Sequence, residues 1–220
     1  VRQGPIYGDW ISYQEVPDAL VMALTSVEDR YFFTHNGFDG RGFLRAIYTN
    51  IRAGRVRAGG STITQQLAKN TFLTNVRSFK RKAQELLLAF WLEQKFTKKQ
   101  ILSLYLNRAY FGGGAYGIDA ASQKFFGHSA RSLSITEAAV LAGLVKSPST
   151  LAPHINPDGA WERAKVVLGA MVDAGAINQA AATKVSAQPP VIRTSSVGND
   201  VRYFSDWVIY ESRKYLGNDA

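Results

Sequence analysis

The chain has 220 residues, 46% of them hydrophobic and 20% charged: enough apolar material for one substantial core, and too much for a disordered polymer. It contains no cysteine, which excludes disulfides and thiolate chemistry, and its three histidines leave any metal site to oxygen or imidazole ligands. The net charge of +9 is concentrated: residues 41–99 hold thirteen Lys and Arg against only Glu85 and Glu93, whereas the rest holds thirteen bases against fifteen acids. A carboxylate set among so many cations suggests a site that binds a polyanion and works on it with an acid or base. Charge alone does not choose between nucleic acid, anionic lipid and a phosphorylated substrate. No leader resembling a secretory signal opens the chain, and no apolar run approaches the ~20 residues of a membrane span. The abrupt edges at Val1 and Ala220 are those expected of a domain from a longer protein, with any membrane anchor upstream.

In chain order the pattern is helical almost throughout. Pro17 opens a helix in which Leu20, Ala23, Leu24 and Val27 form an i, i+3, i+4, i+7 stripe. Glu28 and Asp29 therefore fall at its C-terminal end, against the helix dipole, just before the turn-like Thr34-His35-Asn36-Gly37. Residues 38–58 interleave Phe43, Leu44, Ile47, Tyr48 and Ile51 with Arg41, Arg45, Arg52, Arg55 and Arg57. Such a basic amphipathic stretch suits a membrane interface, and equally a helix packed apolar side inward. Thr62 and Gln65 form a capping box for the next helix, entered through Gly59-Gly60, with Ile63, Leu67 and Phe72 inward. Ser78 caps a long helix to about Phe96; its run 86–92 is apolar on every side and implies burial all round. Thr97 with Gln100, and Ser134 with Glu137, repeat the capping box, and Asn156-Pro157 starts a helix closed near Gly175. The count is eight or nine helices, with no alternating run that reads as a sheet. Gly112-Gly113-Gly114 reads as a connector, and residues 187–199 as an extended excursion before a last helix carrying Phe204, Trp207 and Val208.

Three groups of residues could carry chemistry. Arg81, Lys82 and Glu85 share one helix face, either as a surface ion-pair ladder or as a partly desolvated triad where the helix enters the core. Gly60 to Asn70 places Ser61, Thr62, Gln65, Gln66 and Lys69 at a helix start, where free N–H groups favour an anion; the plainer reading is a well-capped amphipathic helix. His35, beside aromatics, reads more readily as a structural hydrogen bonder than as a base.

Together these residues resemble a known family. Glu28-Asp29-Arg30-Tyr31-Phe32 with His35 and Gly37, then Gly60 to Asn70, then Arg81-Lys82-x-x-Glu85, are similar to three ordered motifs of the peptidoglycan glycosyltransferases, the class A penicillin-binding proteins and monofunctional transglycosylases. Lys98-x-x-Ile101-Leu102-Ser103-Leu104-Tyr105-Leu106-Asn107 resembles the fourth motif, with Ser103 where the family usually has Glu, and Arg163-x-x-x-Val167-Leu168 the fifth. The resemblance spans about residues 15–177. It implies a mostly α, lysozyme-like fold with a large helical lobe and a small membrane-facing jaw lobe at about 38–60. Residues 1–186 would form the glycosyltransferase domain and 187–220 an extension towards a linker or a covalently linked transpeptidase domain. It favours membrane contact for residues 38–58, at the outer face of the bacterial inner membrane, and no nucleic acid.

The implied reaction polymerises lipid II, a disaccharide-pentapeptide on a polyprenyl diphosphate, into a growing β-1,4 glycan strand. The resemblance makes Glu28 the base and Glu85 the second catalytic carboxylate. It places Asp29, Phe32, His35, Ser61, Thr62, Gln65, Gln66, Lys69, Asn70, Arg81 and Lys82 on the substrate. Diphosphate leaves without a proton, so Lys69, Arg81 and Lys82 would stabilise its charge, while Glu85 either orients Arg81 and Lys82 or holds a divalent cation, Mg or Mn; no cofactor is required. The alternative is a lysozyme-like hydrolase or lytic transglycosylase, which would use a protonated glutamate and gain nothing from the cationic segment.

Overall fold

The computed structural model describes residues 5–54, 59–73 and 78–193. Three helices make the centre. α1 (Asp18–Glu28) turns Leu20, Ala23 and Leu24 inward, as the stripe requires. α7 (Ile135–Leu144) is buried along its whole length from Ala138, and α9 (Pro157–Asp173) contributes Ala160, Ala164, Val167, Leu168 and Met171. Each of the three packs extensively on the other two. Alanine and glycine let α7 approach closely: a Cβ on Gly143 would lie 3.0 Å from Arg163 Cγ, so the glycine makes room for that arginine on α9.

A second group packs α3 (Ile63–Phe72) against both α4 (Phe79–Lys95) and α5 (Lys98–Arg108). Their starts are fixed locally, by Ser78 accepting from Arg81 N and by the reciprocal box of Thr97 and Gln100. Ser134 and Glu137 form the same box at α7. At α3 only half of the expected box exists. Thr62 accepts from Gln65 N, but the Gln65 side chain turns away to donate to Gly37 O at 2.9 Å. The core is continuous across both groups.

α2 (Gly40–Ala53) joins none of these extensive packings; of its residues only Ala46 is buried. Phe43, Leu44, Ile47, Tyr48 and Ile51 face outward. The apolar-side-inward reading of this segment therefore does not hold for the described part: its large apolar residues stay exposed, although Phe43 packs on Phe38 and lies beside Gly60.

Three further expectations change. A small sheet exists, β1 (Ile6–Tyr7), β3 (Ala115–Tyr116) and β2 (Tyr110–Gly112) in the order β1-β3-β2, with β1 parallel and β2 antiparallel to β3. Strands this short carry no period-2 signal, and the Gly112-Gly113-Gly114 connector is the hairpin turn, all three glycines at positive φ. The run 86–92 of α4 is not buried all round: Ala89 and Leu92 are buried, whereas Leu87, Phe90 and Trp91 are exposed. Phe72 is likewise half exposed, edge-on to Trp91. Finally, ten α-helices lie among the described residues, because α6 (Ile118–Phe126), α8 (Pro148–Leu151) and α10 (Gln179–Ser186) complete the set. The expected last helix lies outside the described residues. α10 ends at the expected boundary, yet the chain stays on the domain beyond it, with Arg193 N donating to Phe125 O at 2.8 Å and Ile192 packed on the core.

Gly112 has φ +96° and no room for a side chain, since a Cβ would lie 2.1 Å from Pro148 O. Gly112→Ala should destabilise the fold by roughly 2–4 kcal/mol through a strained φ and a backbone clash, measured by denaturant unfolding.

Candidate active site

Glu28 is the last residue of α1 and lines a cleft of about 510 Å³. Gly42, Arg45, Ala46 and Thr49 of α2 line the same cleft, as do Lys146 after α7 and Arg163 of α9. Gln66 of α3 donates through Nε2 to Glu28 Oε2 at 2.8 Å, and Tyr105 of α5 donates to Gln66 Oε1 at 3.1 Å. Burial pushes the Glu28 carboxyl above the usual carboxylate range; the Gln66 hydrogen bond and the charges of Arg163 and Lys146 oppose the rise, and Asp29 adds to it. The same burial pulls Arg163 down, and Glu28 offsets part of that.

Asp29 has a different fate from its neighbour. Its carboxylate accepts the Ile63 amide, at the start of α3, at 3.0 Å and His35 Nε2 at 2.8 Å. Two of the N–H groups expected to be free at that helix start are engaged, Ile63 N by Asp29 and Gln65 N by Thr62. The expected anion cradle at the start of α3 is thus partly filled by the protein's own oxygens. Gly37 completes the joint. At φ +82° it packs on the α4 backbone, where a Cβ would lie 3.1 Å from Ala89 C, and its carbonyl accepts from both Thr62 Oγ1 and Gln65 Nε2.

Glu85, buried on α4, has Lys82 Nζ at 3.0 Å from one oxygen; Arg81 Nε is 3.0 Å from the other, an ion-pair distance without hydrogen-bond alignment. Lys82 reaches on to Ser61 Oγ at 2.7 Å and Gln65 Oε1 at 3.0 Å, and Ser61 lines the cleft. Glu85 thus has a cation at each of its two oxygens.

The structure thus gathers Glu28, Asp29 and Ser61 at the cleft, with Lys82, Glu85 and Arg81 reaching its edge through Ser61. Phe32 is wholly buried in the core under Lys98, whose Nζ lies 4.5 Å above its ring, and the half-buried His35 is turned to Asp29. Thr62 and Gln65 are buried joints, and Gln66 serves Glu28. Lys69 forms no ion pair among the described residues, and neither it nor the exposed Asn70 lines the cleft. Ser103 points elsewhere: its hydroxyl donates to Ile11 O at 2.9 Å, beside Asn107, which bonds both Ile11 N and Ile11 O. It anchors the N-terminal segment.

Sequence reasoning did not assign Lys146, Arg45 or Tyr105 to the site. It had Arg163 within a motif but gave it no role; the signal was the arginine itself, one turn before Val167-Leu168 on a buried helix face.

The transglycosylase family model matches residues 3–172. Penicillin-binding protein 1A of Aquifex aeolicus is 40% identical over 98% of this chain and 30% of its own length. Penicillin-binding protein 1F of Bacillus subtilis is 45% identical over 76% of this chain and 24% of its own. The chain belongs to the transglycosylase family, and spans less than a third of either relative. A crystal structure of penicillin-binding protein 1A from Haemophilus influenzae overlays 71% of this chain and 20% of its own, at 28% identity and a TM-score of 0.46, too low for the overlay to add to the sequence match.

Because the folded-state pKa of Glu28 lies above its unfolded value, the native chain holds that proton more tightly than the unfolded one. The contribution to stability is greatest at low pH and is lost as pH rises through the two values. Glu28→Gln, of equal size and uncharged, should therefore raise Tm at pH 8, with the gain shrinking towards pH 4. Calorimetry across that range measures it, and a lowered Tm at pH 8 would contradict the assignment.

Proposed function

We propose that this domain polymerises lipid II into β-1,4 glycan, with Glu28 as the base that activates the acceptor. The observation that carries the reading is the placement of Glu28: a half-buried carboxylate at the head of a cleft whose charged walls, Asp29 apart, are cationic through Arg30, Arg45, Lys146 and Arg163. A raised pKa suits a group that must take a proton from a sugar hydroxyl and hold it. Glu28 removes the proton from the 4-hydroxyl of the acceptor N-acetylglucosamine. The oxygen attacks C1 of the donor N-acetylmuramic acid from the face opposite the diphosphate, the C1–O bond breaks, and polyprenyl diphosphate departs with the electron pair. The α-linkage becomes β. Charge on the leaving group is met by cations, with Lys82 and Arg81 held in place by Glu85.

A hydrolase of the lysozyme type would need a second carboxylate free to act on the sugar. The neighbouring Asp29 is engaged by Ile63 N and His35, and Glu85 by two cations. That disfavours the hydrolytic alternative.

The membrane reading for residues 38–58 rests on α2. An outward face of Phe43, Leu44, Ile47, Tyr48 and Ile51, with Arg41, Arg45 and Arg52 on the same helix, suits the headgroup boundary of an anionic bilayer. No described helix is long and apolar enough to cross a membrane. The domain would work at the outer face of the bacterial inner membrane, on lipid substrate delivered in the plane, and be joined to a transpeptidase domain in the whole protein.

Two measurements test this. Glu28→Gln should lower the rate of glycan formation from lipid II by about 10²–10⁴-fold with the fold intact; full activity would remove Glu28 from the role, and release of short muropeptides from preformed glycan would favour the hydrolase. Replacing Phe43 and Ile47 by serine should weaken sedimentation with anionic vesicles by more than about ten-fold, while circular dichroism stays unchanged.

A further inference from the structure

Gln66 stands between Glu28 and Tyr105, and an amide has two unlike ends. A carboxylate only accepts, so Glu28 gains from Gln66 when the NH₂ end faces it and is repelled by the carbonyl end. Once Glu28 takes up a proton it can donate as well as accept, and the Glu28–Gln66 contact no longer holds the amide one way round. The other end does, through Tyr105: its hydroxyl lies 3.1 Å from Gln66 Oε1, and among the described residues it makes no other hydrogen bond.

We propose that Tyr105 is a positioning residue for the base: by donating its hydroxyl proton to Gln66 Oε1, it locks the amide with Nε2 towards Glu28. The three residues stand on α5, α3 and α1, so the chain spans three helices and does not depend on a loop. Tyr105 is 1% exposed, packed beside the buried Leu102 and Leu106 of its own helix, which fixes its ring. Burial and the charge of Glu28 hold its hydroxyl well above the ordinary phenol range, so the donor keeps its proton throughout the working pH range. The consequence reaches the base through a hydrogen bond that favours its ionised form. With Tyr105 unable to donate, the amide is free to turn its carbonyl to a protonated Glu28, which favours the protonated form and makes Glu28 harder to ionise.

This inference rests on the reading of Glu28 as the base. The test is the pH–rate profile of lipid II polymerisation by the intact protein, for the wild type, Tyr105→Phe, Gln66→Met and Glu28→Gln. Tyr105→Phe should move the acidic limb upward by about half to one pH unit, the worth of one hydrogen bond, with KM for lipid II changed less than about two-fold. The rate lost near neutral pH should return at higher pH. A merely structural role for Tyr105 would depress the rate at every pH and leave the limb in place. Gln66→Met, which removes the amide and leaves Tyr105 as it is, should shift the limb the same way. A wild-type limb for either folded variant overturns the proposal, and Gln66→Met decides it should Tyr105→Phe fail to fold. An active Glu28→Gln would sink the base reading itself, whereas an inactive one beside an unmoved limb sinks only the role of Tyr105.

Discussion

The carboxylate of Asp29 closes the junction between the two helical groups. It ends α1, satisfies the first amide of α3 and holds His35, so the C-terminus of one helix is tied to the N-terminus of another. A negative charge is favoured at the start of α3 and disfavoured at the end of α1, and the one residue serves both ends at once. Glu28, one position earlier, receives only the unfavourable half. It is half-buried, sits against the α1 dipole and shares the neighbourhood of Asp29, and among the described residues it accepts one hydrogen bond, from Gln66. Adjacent carboxylates thus divide into one tied into the frame and one whose pKa is raised, the arrangement that the proposed base requires.

From that junction the rest of the site follows. Closing the start of α3 brings Gln66 to Glu28 one turn later on the exposed side of the joint, while Gln65, on the buried side, bridges Gly37 O and Lys82. Lys82 then carries the influence of Glu85 to Ser61 at the cleft. A pair of consecutive glutamines therefore does two unrelated jobs, because neighbouring residues on a helix point about 100° apart.

What could be read from the sequence was whatever is decided within a few residues. The starts of α4, α5, α7 and α9 were legible because a side-chain oxygen and an amide three residues on meet locally. The position of Glu28 at a helix end followed from one apolar stripe, and the shared face of Arg81, Lys82 and Glu85 from helical spacing. Tertiary choices were not legible. Gln65 left its box for Gly37, twenty-eight residues away. Leu87, Phe90 and Trp91 look like core by composition, yet the packing partners of α4 cover only its Glu85, Ala89 and Leu92 side. Short strands gave no period at all. Lys146 had no local mark and Arg163 only its place in a motif, since the packing of α7 on α9 is what brings them to Glu28.

The charge map changes meaning accordingly. The excess of cations in residues 41–99 suggested one basic field around one carboxylate, but the positive charges that act on Glu28 most are Arg163 and Lys146, both outside that stretch. Of the cations inside it, Arg45 on α2 faces the cleft, Arg81 with Lys82 gathers around Glu85, and Lys98 pairs with Glu93. A cleft with cations on separate elements is suited to surround an anion instead of meeting it on one side. Since α2 carries its cleft-facing arginine on the same helix as its exposed apolar residues, a bilayer that took up that apolar face would also fix where Arg45 stands relative to Glu28. On the proposed reading, membrane docking and the charge beside Glu28 are both set by one helix, whose described part shares little packing with the core.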